Sequence, residues 1–220
     1  MCEFLSAIVL KNGDVLYNPY TDHHEDLISL HNLRDKRGDE FARVEFKPDD
    51  ALQLAEPDKY KLTIDQERTP DWFSGDMQTK VADKLRGIVS RMIVRDEKIC
   101  LIGGCHILAD GAKLQFIKAA RVIVMLGTSR VGEMRESSNV GEMRESSKVG
   151  VMLESSNVGE MRESSKVGVM LESSNVGEMR ESSNVGVMLE SSNVGEMLES
   201  SKVGAMRESS NVGNDKRDQK

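Results

Sequence analysis

The stretch "VGEMRESSN VGEMRESSK VGVMLESSN" (Val131–Asn157) decides the fold of the C-terminal half of this chain. Val recurs at 131, 140, 149, 158, 167, 176, 185, 194, 203 and 212, a strict period of nine. A continuous helix fails on geometry, because nine residues make about 2.5 turns and successive Val residues would point to opposite sides. Gly and a Ser pair in every copy are also poor helix formers. Disorder accounts for the Ser, Glu and Gly content, but a solvated linker has no use for unbroken Val and Met. The remaining architecture is a parallel β-solenoid, with short strands and tight corners stacked at about 4.8 Å per coil.

Differences between the copies sort inside from outside. Val at position one, Gly at two, Met at four, Glu at six and Ser at seven and eight are constant, whereas three is Glu, Val or Ala, five is Arg or Leu, and nine is Asn or Lys. A position that exchanges Glu for Val, or Arg for Leu, faces out. The expected core is therefore Val140, Met143, Val149, Met152, Val158, Met161, Val167, Met170, Val176 and Met179. Positions one and four have opposite parity on a flat strand, so the backbone must turn or bulge between them. Gly at position two, free to take positive φ, is the expected corner, and the Ser pair is expected to bond spare backbone groups there.

Positions three and five change together. The copies from 140, 158 and 176 carry Glu/Arg, and those from 149, 167 and 185 carry Val/Leu, which makes the true period eighteen. With 18 residues per coil, one side presents Glu142/Arg144, Glu160/Arg162 and Glu178/Arg180 as charged ladders. The other presents Val151, Leu153, Val169, Leu171, Val187 and Leu189 as an apolar stripe, the kind of surface that marks an interface. The expectation is a homodimer, or a protein partner bound on this stripe. Two alternatives stand beside it: the stripe packs on the N-terminal domain, or a three-sided coil scatters it. The repeats and their lead-in amount to roughly five coils, about 25 Å of stack.

The rest of the chain reads as an α+β domain over 1–97, lead-in and cap strands over 98–130, the solenoid over 131–213, and a charged, disordered tail over 214–220. In the first domain Asn12-Gly13 marks a tight hairpin turn. Asp22 with Glu25 looks like a capping box, ahead of a helix carrying Leu27, Ile28, Leu30 and Leu33. Alternation predicts strands at 41–46 and 59–65, and Val81, Leu85, Ile88, Val89 and Met92 form a helical stripe. Aromatic residues stop at Phe116, while nine of the 13 Met lie in the repeats, so two kinds of core share one chain.

Net charge is −7, and the repeats supply most of it, with fourteen Glu against eight Lys/Arg over 131–213. That balance argues against direct nucleic-acid or anionic-membrane binding. No secretory signal or bilayer-length apolar run is present, and Cys2, Cys100 and Cys105 fit a reducing compartment better than a disulfide framework. The expected location is cytoplasmic, in a host cell or inside a phage particle. The repeat contains no Asp, so it does not match the calcium-binding nonapeptide, and no metal or cofactor is expected.

Few residues invite chemistry. If Met1 is removed, Cys2 gains an α-amine able to serve as base for a thiolate. The start "MC" thus resembles the N-terminal-cysteine glutamine amidotransferases and the abasic-DNA-crosslinking SRAP family, though both continue with Gly and this chain has Glu3. His24 and His31, seven apart, could meet Asp22 or Glu25 around a metal; solvated helix-start histidines are the plainer reading. Cys100, Cys105 and His106 are too irregular for a zinc ribbon, and Trp72-Phe73 reads as a core anchor.

The segment "MCEFLSAIVLKNGDVLYNP…HEDLI…RVEF" running into "SSKVGVMLESS" resembles uncharacterised proteins of bacteriophages and gut bacteria that join such a domain to V-G-x-M-x-x-S-S-x repeats. In architecture the chain is also similar to the pentapeptide-repeat proteins, acidic solenoids some of which mimic DNA. The resemblance brings no established activity, and the leading expectation is a non-enzymatic, phage- or mobile-element-type protein whose solenoid mediates self-association or partner binding. An enzyme using Cys2, with the solenoid as oligomerisation arm, and an acidic DNA mimic are the other expectations.

Overall fold

The structure, a computed structural model, describes residues 5–21, 23–35 and 38–217. It divides into two compact units between Met92 and Ile93: a small α+β unit and an all-β parallel solenoid of about seven turns.

In the first unit β1 (Ser6–Leu10) turns through Asn12-Gly13 into β2 (Val15–Tyr17). Gly13 holds φ +82, and the Asp14 N–H donates to the Asn12 side chain at 3.0 Å. With β3 (Phe41–Lys47) and β4 (Lys61–Ile64) they make an antiparallel sheet in the order β2-β1-β3-β4. Helix α1 (His24–Leu30) lays Leu27 on it beside Ile8 and Phe41. The expected cap Asp22 lies outside the described residues, and the His23 side chain makes no capping bond.

Leu30, expected on the buried side, is 60% exposed. The helix ends there in a Schellman arrangement: Asn32 holds φ +50, and the Leu33 N–H reaches the Ile28 carbonyl at 2.9 Å. That turn folds Leu33 back against the core in place of Leu30. Helix α2 (Gly75–Met92) buries Val81, Leu85, Val89 and Met92 on its predicted stripe.

The solenoid strands follow one another in single file. They are β5 (Ile93–Val94), β6 (Glu97–Ile102), β7 (Cys105–Leu108), β8 (Lys113–Lys118) and β9 (Arg121–Met125). Next come β10 (Arg130–Arg135), β11 (Asn139–Met143), β12 (Lys148–Met152), β13 (Asn157–Met161) and β14 (Lys166–Met170). The last are β15 (Asn175–Met179), β16 (Asn184–Met188), β17 (Asn193–Met197), β18 (Lys202–Met206) and β19 (Asn211–Asp215). Even-numbered strands from β6 to β18 form one parallel sheet of seven, and odd-numbered strands from β5 to β19 form another of eight. We call them the even and odd sheets.

In the repeats each residue pairs with the one eighteen positions on: Val149 with Val167, Val151 with Val169, Met152 with Met170. Roughly five coils had been expected. The stack is longer because residues 93–130 contribute full strands to both sheets, with Val122 in register with Val140 and Leu114 with Val131. At the far end Asn214 and Asp215, the first residues of the expected tail, pair with Glu196 and Met197.

The Val and Met lines are the core. Val140, Met143, Val158, Met161, Val176 and Met179 are fully buried, as are Met152 and Met170, with Val149 and Val167 at 1%. Truncating one such Met to Ala costs about 2–5 kcal/mol in typical cores.

The corner is built differently from the expectation. Gly at position two does not take positive φ; that conformation belongs to Glu at position six, from Glu136 (φ +56) to Glu208 (φ +59). Each turn is closed by the N–H of the second Ser, as in Ser147 to the Arg144 carbonyl at 3.1 Å. The Gly is required for a separate reason: a Cβ on Gly168 would stand 2.5 Å from the carbonyl oxygen of Gly150 in the preceding coil, and the other repeat glycines meet the same obstacle. The second Ser of the pair is buried from Ser138 to Ser201. Ser192 Oγ donates to the Leu189 carbonyl at 2.8 Å, but the hydroxyls of Ser147, Ser156, Ser165, Ser174, Ser183 and Ser201 have no hydrogen-bond partner among the described residues, so the expected side-chain bonds form at only a few corners.

Two substitutions separate these roles. Gly168→Ala should lower the unfolding free energy by about 1–3 kcal/mol, because the obstacle is backbone. Glu163→Val should cost about 1–2 kcal/mol for its positive φ, whereas Glu163→Gly should stay within about 1 kcal/mol of the parent. Thermal unfolding followed by circular dichroism checks both.

Candidate functional site

The residues singled out for chemistry are dispersed or structurally engaged. Cys2 lies outside the described residues. His24 is 3% exposed and clamped, with Nδ1 3.0 Å from Asp65 and Nε2 3.0 Å from the Val44 carbonyl. His31 is exposed beyond the end of α1, so it joins no cluster with His24. Among the described residues no group of three or more His, Cys, Asp or Glu is placed to hold a metal ion.

Cys105 is buried and its thiol is pushed up by desolvation, which suppresses the thiolate that chemistry needs. His106, its ring 3.1 Å from the Gly103 carbonyl, is pushed down chiefly by burial. Trp72 donates to the Asp39 carbonyl at 2.6 Å and meets Phe73, itself 2% exposed, edge-on at 5.6 Å.

The organised surfaces are those of the solenoid, and each sheet has its own chemistry. On the odd sheet the expected Glu/Arg pairs join into one chain of alternating charge. Glu142 lies 2.8 Å from Arg144 and 2.9 Å from Arg162; Glu160 lies 2.8 Å from Arg162 and 2.9 Å from Arg180; Glu178 lies 2.5 Å from Arg180. The Arg162–Glu160 contact also includes an aligned bond from Nη2 at 2.9 Å, and this bond raises the Arg162 guanidinium above its ordinary value. Each interior Arg thus separates two Glu residues that stacking alone would leave side by side.

On the even sheet the same positions carry Val151, Val169 and Val187 in one register, with Leu153, Leu171 and Leu189 just past the strand ends. All six side chains are half-buried. Below them Glu133 pairs with Arg135, which also stacks 4.8 Å over the Phe116 ring.

Position nine follows the same division, which the sequence reading missed. Odd strands open with Asn, and the Asn side chains bond up the stack: Asn175 to Asn157 and Asn193 to Asn175 at 2.9 Å, Asn211 to Asn193 at 3.3 Å. Even strands from β8 onward open with Lys113, Arg130, Lys148, Lys166 and Lys202, interrupted by Asn184. The signal was available, because these residues alternate with the eighteen-residue period already read at positions three and five. Beside this basic row runs a furrow of about 520 Å³ floored by Gly132, Gly150 and Gly168.

Compared with protein-family profiles, with curated proteins and with solved structures, the chain matches none.

The charge chain makes a checkable statement. Arg162→Ala leaves Glu142 and Glu160 adjacent without their shared cation, and should cost about 1 kcal/mol, less at high salt. Replacing Glu160 by Val and Arg162 by Leu together should be close to neutral. Urea unfolding at low and high ionic strength measures both.

Proposed function

We propose that the solenoid is a non-enzymatic association module that binds protein through the outer face of its even sheet, first of all a second copy of this chain. The observation supporting this reading is the contrast between the two sheets. Equivalent positions on the odd sheet carry mutually neutralising charges, while on three consecutive strands of the even sheet, β12, β14 and β16, they carry an uncharged Val/Leu ladder. A flat apolar ladder rimmed by polar residues is the usual character of a protein-binding surface.

The acidic-mimic reading is weakened by the same geometry, because Glu142, Glu160 and Glu178 each have an Arg at ion-pair distance. Among the described residues no helix is long and apolar enough to cross a membrane.

The reading is tested by the oligomeric state of the full chain. Sedimentation equilibrium from about 1 to about 100 µM should show self-association, in the range open to a modest interface. Val169→Lys combined with Leu171→Lys should weaken it at least about tenfold, because it buries ammonium groups against apolar surface. Glu160→Gln on the odd sheet should leave it unchanged. A parent chain that stays monomeric throughout removes the self-association reading.

A further inference from the structure

The even face is complementary to itself in one orientation only. Along each even strand the side chains point out at position nine, in at one, out at two and three, in at four and out at five, with the corner Glu at six following. On β12 these are Lys148, Val149, Gly150, Val151, Met152, Leu153 and Glu154. The out-in-out-out-in-out pattern reads the same in both directions, with its centre between the Gly and the residue after it.

Two copies can lay these faces together, strands aligned, about either of two rotation axes. An axis along the strands sets every position on itself: Lys on Lys, the Val ridge on the Val ridge, the empty glycine line on the empty glycine line. An axis along the stack exchanges the two ends of each strand. It sets the Val151, Val169 and Val187 ridge of one copy over the Gly150, Gly168 and Gly186 line of the other. The same rotation brings Lys148 and Lys166 beside Leu153, Leu171 and the corner residues Glu154 and Glu172. The Lys stems can then lie on Leu while their ammonium groups reach the Glu carboxylates.

Resting on the association reading above, we infer that a second copy of this chain docks face to face on the even sheet about a two-fold axis parallel to the stack, each Val ridge seated in the other copy's glycine furrow and each Lys row set against the other copy's corner Glu row.

Three observations carry this geometry. The furrow exists only because position two has no side chain, and it runs beside the ridge that would fill it. Among the described residues the Lys148 and Lys166 ammonium groups form no ion pair, and the side chains of Glu154 and Glu172 form no hydrogen bond or ion pair. Other corner carboxylates are engaged within the chain: Glu190 accepts the Glu172 N–H at 2.6 Å and Glu208 the Glu190 N–H at 3.1 Å.

Lys148 and Lys166 belong to successive even coils, as do Leu153 and Leu171, so the match made at β12 recurs at β14; on β10 and β18 position five is Arg135 and Arg207, and the match ends there. The seven-stranded face spans about 29 by 17 Å. Complete apposition would bury about 1,000 Å² counted over both copies, an upper bound at the lower end for specific interfaces, and the Val ridge occupies only β12, β14 and β16 of that face.

The test is reciprocal charge reversal in the full chain, with circular dichroism confirming that each variant is folded. One variant carries Lys148→Glu and Lys166→Glu; the other carries Glu154→Lys and Glu172→Lys. Each alone should self-associate at least about tenfold more weakly than the parent, because like charges now meet at the β12 and β14 contacts of both copies. An equimolar mixture should recover the parent affinity to within about threefold as a heterodimer, since both rows are again opposed in sign. Recovery on mixing cannot come from chains that failed to fold.

If both variants associate as the parent does while Val169→Lys with Leu171→Lys still abolishes association, this geometry is wrong and the association reading survives. A monomeric parent overturns both. Species growing beyond the dimer overturn the two-fold, which closes on itself.

Discussion

From β9 on the odd sheet and β10 on the even sheet, every coil is hydrogen-bonded to the coil before it in a fixed eighteen-residue register, and this sets each side chain on one from the same position. The remainder of the structure answers that constraint. Val on Val and Met on Met close into a continuous core. Asn on Asn becomes a run of amide bonds. Glu on Glu would be repulsive, and it is resolved in two ways. On the odd sheet an Arg lies between Glu142 and Glu160 and another between Glu160 and Glu178. At several corners the carboxylate leaves its own level and accepts the N–H of the Glu one coil earlier, as Glu199 does for Glu181 at 2.9 Å. Gly on Gly allows the backbones an approach that no Cβ would permit.

The sequence was legible wherever copies differed and opaque wherever they agreed. Exchange of Glu/Arg for Val/Leu revealed the outward positions and the eighteen-residue coil, and the constant Val and Met filled the inside as expected. Constancy alone did not say why a residue is constant. Gly at position two was read through its backbone freedom, yet the reason is a neighbouring carbonyl that comes close only after the coils stack. Glu at position six holds a φ that propensity would assign to Gly or Asn, stabilised by the closing turn and, at several levels, by the carboxylate bond up the stack. Such tertiary reasons leave no local trace. The basic row at position nine was within reach of the same copy-by-copy comparison. Cys2 and Asp22 fall outside the described residues, and the structure adds nothing to either.

The two units solve the problem of core formation in different currencies of shape. The first mixes large aromatic and branched side chains, with Phe46 and Tyr60 rings 5.3 Å apart and His24 held between a carboxylate and a carbonyl. Its contacts join strands distant in sequence, such as β1 with β3. The second uses two apolar residue types per turn and contacts only its nearest neighbours, so its stability accumulates coil by coil. Loss of one aromatic is a local defect in a unique arrangement; loss of one Met is a fault in a series.

The two-sheet alternation also bears on how such an array can change length. Slippage or unequal exchange between near-identical copies adds or removes whole repeats. Two at a time leave every downstream residue on the sheet it occupied before. One at a time moves everything downstream across the stack, so that Val/Leu copies join the charged side and Glu/Arg copies break the apolar ladder. Val and Met would still be buried, and the fold would survive with its faces interrupted. The copy from 131 sits on the even sheet with Glu133 and Arg135, where the copies from 149, 167 and 185 carry Val and Leu. It has the form that a single-repeat step leaves behind.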